Sequence, residues 1–181
     1  MGRVRQRVVA GVSGSLGSVT ALHRAAAEAR ARGAELWVVL AWQPPGGLGT
    51  HRFGDVSVLT AGQEAAAARL GATLRAAFGA GPDRASRIPP APDLTALTAR
   101  GGAGEVLVDF ARDADDLLVV GTGRPRRPVH RALHRSVARY CLAYATCPVM
   151  TVPPSPLQSA LESVRRRNAW GLPLDARELA G

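Results

Sequence analysis

Short runs of apolar residues alternate along this chain with longer stretches in which apolar residues recur every three or four positions. The first pattern fits buried strands and the second fits amphipathic helices. Val8-Val9-Ala10-Gly11-Val12 is a strand that runs into Gly and Ser. The next stretch puts Leu22, Ala25, Ala26 and Ala29 on one helical face, with Ser18 as its predicted N-cap. Glu28 and Arg32 pair on the outside, and Gly33 stops the helix. Leu36-Trp37-Val38-Val39-Leu40-Ala41-Trp42 is the second strand, closed by Pro44, Pro45, Gly46 and Gly47. A glycine-rich connection over 43–59 leads to Thr60-Ala61-Gly62-Gln63, which has the spacing of a capping box. The helix behind it carries Leu70, Leu74 and Phe78 and ends at Gly79.

The second half repeats the alternation. After a Pro-rich loop over 81–92, Leu94-Thr95-Ala96-Leu97-Thr98 gives a third strand, then a helix with Val106, Leu107, Phe110 and Ala111 inward. Asp113, Asp115 and Asp116 mark the turn into Leu117-Leu118-Val119-Val120, which Gly121-Thr122-Gly123 cuts off. A basic loop, a helix with Leu133, Val137, Cys141 and Tyr144 inward, and the strand Pro148-Val149-Met150-Thr151-Val152 complete the series. Strands alternating with helices at this spacing predict a doubly wound α/β domain, a parallel sheet covered on both faces.

Composition narrows the picture. The chain has 181 residues, enough for one domain, and only 4% of them are aromatic, so the core is expected to be aliphatic. No apolar run is long enough to span a membrane, and no secretory leader precedes the first strand, so a cytoplasmic protein is expected. Cys141 and Cys147 lack metal-ligand spacing and read as small buried hydrophobes. His130 and His134 lie one helical turn apart but no third ligand accompanies them, so no metal is expected. No nucleophile elbow, Walker loop or zincin signature is present, and an enzyme is not expected. The formal charge is +9, and all 23 cations are arginines. That balance suits a polyanion partner, or codon choice in a GC-rich genome.

Three segments together resemble the universal stress protein family. They are 8–15 with its Ala-rich helix and Gly33-Ala34-Glu35-Leu36; Val39-Leu40-Ala41-Trp42-Gln43-Pro44-Pro45; and Asp115 to Gly121 with Arg135-Ser136-Val137-Ala138 and Thr146 to Val152. The resemblance covers residues 5–153 as a UspA-like domain and leaves 154–181 as a C-terminal helical extension. It implies a sheet of order 3-2-1-4-5, with ligands at the switch point between strands one and four. It also implies a homodimer formed by antiparallel pairing of the fifth strand, Val149, Met150, Thr151 and Val152, across a two-fold axis.

Members that bind ATP resemble one another in a strand-four loop G-x-x-G, nine residues, then G-[S/T], and in an aspartate after strand one. Carried onto this chain, the site is Gly11, Val12, Ser13, Ala41, Val120, Gly121, Gly123, Arg135, Ser136 and Val137. Ser13 stands where the aspartate would be, Gly123 comes one residue early, and the loop is one residue longer. Arg135 replaces the glycine before Ser136, and its Cβ would crowd a phosphate pocket lined by backbone amides. ATP binding is therefore expected to be weak or absent.

Two readings of the loop stand side by side. Arg124, Arg126, Arg127, Arg131 and Arg135 could grip an anion through guanidinium groups. Alternatively Arg131, Arg135 and Arg139, spaced by four, form the solvated face of an amphipathic helix, and this plainer reading is preferred. The expected function is a stress-response binding or regulatory module. Its alternative is a basic adaptor for nucleic acid or an acidic protein, working through this run and Arg165-Arg166-Arg167. In the extension, Ser155-Pro156-Leu157-Gln158 opens a helix through Arg167 with Leu157, Leu161 and Val164 on one stripe. That stripe needs a surface to cover it, with Trp170 anchoring the segment beyond.

Overall fold

A computed structural model describes residues 6–44, 56–79, 93–122, 136–155 and Val164. The elements follow the alternation of the sequence: β1 (Arg7–Gly11), α1 (Leu16–Arg32), β2 (Glu35–Trp42), α2 (Val56–Phe78), β3 (Leu94–Arg100), α3 (Ala103–Phe110), β4 (Leu117–Gly121), α4 (Val137–Tyr144) and β5 (Val149–Val152). All neighbouring strands are parallel, in the order β3-β2-β1-β4-β5.

Alternation along each strand divides the core into two layers. Val8 and Ala10 of β1, Val38 and Leu40 of β2 and Leu117 and Val119 of β4 pack with Leu22, Ala25, Ala29 and Leu70 under α1 and α2. Val9, Val39, Leu118 and Val120 point the other way, onto Val106, Leu107, Ala138 and Cys141 of α3 and α4. Successive buried strand residues thus serve opposite faces, which is why β1 and β4 read as continuous apolar runs. The alanines of α1 carry no bulk beyond Cβ, so the helix lies close to the sheet.

Several boundaries differ from the sequence expectation. Ser15, not Ser18, caps α1: its hydroxyl accepts the Ser18 N–H at 3.3 Å, while the Ser18 hydroxyl donates to the Ser15 carbonyl at 2.7 Å. Two serines three apart each supply a plausible cap, and the earlier one wins because the helix can then begin at Leu16. Gly33 ends α1 in the left-handed conformation, as the sequence predicts. Glu28 pairs with Arg32 at 3.6 Å but sits closer to Arg24, at 2.9 Å.

Helix α2 starts at Val56, so Thr60 lies inside it and donates back to the Val56 carbonyl rather than forming a capping box. Strand β3 runs two residues past Thr98, paired with β2 as far as Trp42↔Arg100, while β1 ends at Gly11, before Val12.

The inward face of α4 is also rotated from expectation. Ala138 and Cys141 are buried, but Val137 is 37% exposed and Tyr144 54%. The smaller side chains sit against the sheet, and Tyr144 stacks on Tyr140 at the rim with ring centroids 4.5 Å apart. Leu133 lies outside the described residues.

The amino ends of the strands hold an ion pair between residues far apart in sequence. Arg7, which opens β1, donates from Nε at 3.1 Å and Nη2 at 2.7 Å to Asp116, whose side chain is 1% exposed. Asp116 also accepts the Asp113 N–H, and the Arg7 guanidinium lies 4.9 Å from the centre of the Trp37 ring. The Asp116 hydrogen bond raises the Arg7 pKa above its ordinary value, against the opposing effect of burial. Asp116 therefore does more than mark a turn, since it ties the start of β4 to the start of β1.

Candidate functional site

Strands β1 and β4 lie side by side, yet their crossovers leave in opposite directions, β1 toward β2 and β4 toward β5. Helices α1 and α4 consequently cover opposite faces, and a crevice opens at the carboxyl ends of the two strands. Gly11 is in register with both Val39 and Val120 there, and the Val12 N–H donates to the Val39 carbonyl at 3.0 Å. The register brings Gly11, Val12 and Ser13 together with Val120 and Gly121, while Ala41 lies two residues farther along β2.

Each residue meets a specific environment. A Cβ on Gly11 would come 2.5 Å from Leu107 Cδ1, so the tip of this α3 side chain packs directly over the glycine and would have to shift to admit a larger residue. A Cβ on Gly121 would lie 3.3 Å from the Gly17 carbonyl oxygen, where the first turn of α1 crosses the end of β4. Val12 and Val120 are buried, and Ala41 is half-buried. Ser13 is exposed, and its hydroxyl shares a 3.1 Å hydrogen bond with that of Ser15. Ser136 precedes α4, where its carbonyl accepts the Tyr140 N–H and its side chain makes no capping bond. Gly123 and Arg135 lie outside the described residues, as do Arg124, Arg126, Arg127, Arg131, His130 and His134.

The two cysteines are free and buried. Burial pushes the Cys141 thiol up to about 11 and raises that of Cys147 too, so neither is poised as a thiolate nucleophile. Among the described residues no group of three His, Cys, Asp or Glu side chains could hold a metal ion. No described helix is long and apolar enough to cross a membrane.

Charge is distributed in a way the composition conceals. The described residues hold nine arginines and nine carboxylates. The whole formal surplus of +9 therefore belongs to residues outside them. Five of those arginines fall between Gly123 and Ser136 with no carboxylate among them, in the connection whose two ends flank the crevice.

A parallel sheet of this order, with its switch point between the first and fourth strands, defines a class of doubly wound ligand-binding domains. Within that class, the universal stress protein family model matches residues 5–153, and the chain belongs to this family. It is similar to a universal stress protein solved in complex with cAMP, at 30% identity and a TM-score of 0.58, over 83% of this chain and 98% of that one. Universal stress protein UspA from Lactobacillus plantarum shares the fold at 21% identity and a TM-score of 0.60, over 83% and 99% of the two chains. A family member from Burkholderia pseudomallei does so at 18% identity and a TM-score of 0.51, over 86% and 100%. No curated protein matches the chain.

Proposed function

We propose that this chain is a cytoplasmic, homodimeric stress-response binding and regulatory module rather than an enzyme, with a degenerate adenine-nucleotide site in the β1–β4 crevice. Residues 154–181 extend that domain. The observation that carries the reading is the exposed Ser13 hydroxyl, tied to Ser15 at the end of β1, where the family resemblance calls for a carboxylate. The similar protein that binds cAMP supports an adenine nucleotide as the class of ligand. The lost carboxylate and the arginine at position 135 argue for weak binding. Each change is worth about 1–3 kcal/mol when a buried hydrogen-bonding partner or a close backbone approach is lost. Calorimetry with magnesium-ATP is expected to give no binding, or a dissociation constant well above the micromolar range. A low-micromolar constant would overturn the degenerate-site reading.

The homodimer rests on β5. This four-residue strand is half-buried along its length and, among the described residues, pairs with β4 alone, which makes it an edge of the sheet where a second strand could add. Light scattering at micromolar concentration is expected to give twice the 18.9 kDa chain mass, and a monomer would refute pairing through this edge.

One observation favours a second reading, the basic adaptor. The run of arginines between β4 and α4 contains no carboxylate, and the described ends of that connection flank the crevice. Steeply salt-dependent binding to single-stranded nucleic acid, with no nucleotide binding, would favour it.

A further inference from the structure

The exposed large hydrophobic side chains of the described residues are Val56, Leu94, Val137, Leu142 and Tyr144, and three of these five lie on the eight-residue helix α4. Val137, Tyr140 and Tyr144 recur at i, i+3 and i+7 and so share one face. Tyr140 is seated over Gly104 of α3, where a Cβ would come 2.6 Å from its ring, and Tyr144 stacks on Tyr140. The aromatic pair is thus fixed from the α3 side while Tyr144 remains 54% exposed.

The course of the chain brings a matching segment to this face. Strand β5 is parallel to β4 and ends at the carboxyl edge of the sheet, where the Val152 carbonyl accepts the Thr122 N–H. Helix α4 starts from that same edge, because it returns the chain from the end of β4 to the start of β5. Half-buried Pro154 and Ser155 follow β5, and 26 residues remain after them. The sequence pattern gives 155–167 a helix whose Leu157, Leu161 and Val164 form one stripe. Of this segment, Ser155 is described as non-helical and Val164 as helical and half-buried.

The two stripes also agree in length. Both 157–164 and 137–144 advance seven positions, about 10 Å of helix.

We propose that residues 155–167 dock as a helix alongside and parallel to α4 of the same chain, with Leu157, Leu161 and Val164 covering Val137, Tyr140 and Tyr144. The short lead from Val152 to Ser155 favours the chain's own tail over a second copy, because it holds the tail at high effective concentration. This inference is independent of nucleotide binding.

The test uses the full-length chain. In Leu161→Glu, amide hydrogen exchange at the end of α4 is expected to speed up at least ten-fold, while β1 and α1 keep their protection. Leu161→Met should behave as the parent does. Unchanged exchange in α4 would overturn the proposal. A second variant, Val137→Cys with Leu157→Cys, treated with a short bifunctional maleimide, is expected to give a 137–157 cross-link at the mass of one chain. A cross-link at the mass of two chains would assign the stripe to a second copy and overturn docking in cis, as would the absence of any cross-link.

Discussion

Asp116→Ala is expected to destabilise the protein by about 2–4 kcal/mol, because it removes one partner of a buried ion pair. The Asp116 carboxylate is fully enclosed and receives two guanidinium N–H groups and one backbone N–H. Alanine would leave the Arg7 guanidinium with Asp113, at 2.7 Å, the Trp37 ring and the charge of Glu35. The estimate stays below the upper limit for buried pairs because the Arg7 side chain is 20% exposed and water can solvate part of the freed charge. Asp113→Ala should cost less than about 1 kcal/mol, since that carboxylate is half exposed. Urea unfolding of the two variants provides the comparison. A lower midpoint with an unchanged slope is expected for Asp116→Ala, and equal midpoints for the two variants would show that the buried pair does not anchor β1 to β4.

The second large effect is a gain of binding. Ser13→Asp combined with Arg135→Gly restores the acceptor after β1 and the glycine before Ser136 that the family resemblance calls for. At about 1–3 kcal/mol for each change, the pair should strengthen ATP binding by roughly thirty-fold to twenty-thousand-fold. Calorimetry on each single variant and on the double variant separates the contributions. Ser13→Asp carries a further expectation: its carboxylate would displace the hydroxyl that now bonds Ser15, close to the N-terminus of α1, where negative charge is favoured. The substitution should therefore leave the melting temperature unchanged or higher. A folded double variant with no tighter ATP binding would place the ligand somewhere other than the β1–β4 crevice.

Local pattern made most of the fold legible. The strand runs at Val8, Leu36 and Leu117 and the stop at Gly33 are written in adjacent residues, and the structure keeps them to within a residue or two. Features that depend on contacts between distant residues were not legible. Nothing near Arg7 in the sequence points to Asp116, since only the parallel pairing of β1 and β4 brings them together. The rotation of α4 has a similar origin: Val137, Cys141 and Tyr144 fit one helical stripe as well as Ala138 and Cys141 do, and contact with the sheet decides between them. For the crevice, the resemblance put Gly11 among the site residues, but nothing in the sequence near it points to Leu107 of α3, whose side chain packs beside it. Ser13 and Gly121 do stand at the carboxyl ends of β1 and β4, in the order the sequence suggested.

The even balance of nine arginines and nine carboxylates across the described residues bears on how this chain can change over time. Its formal surplus of positive charge resides outside those residues, while the five strands and the helices that form the two core layers lie within them. Substitutions there can raise or abolish the cationic character without changing a residue of the five strands, so the isoelectric point can drift while the sequence of the sheet stays fixed. Two family members with the same fold could then differ widely in their attraction to polyanions, and similarity in the core would give no sign of it.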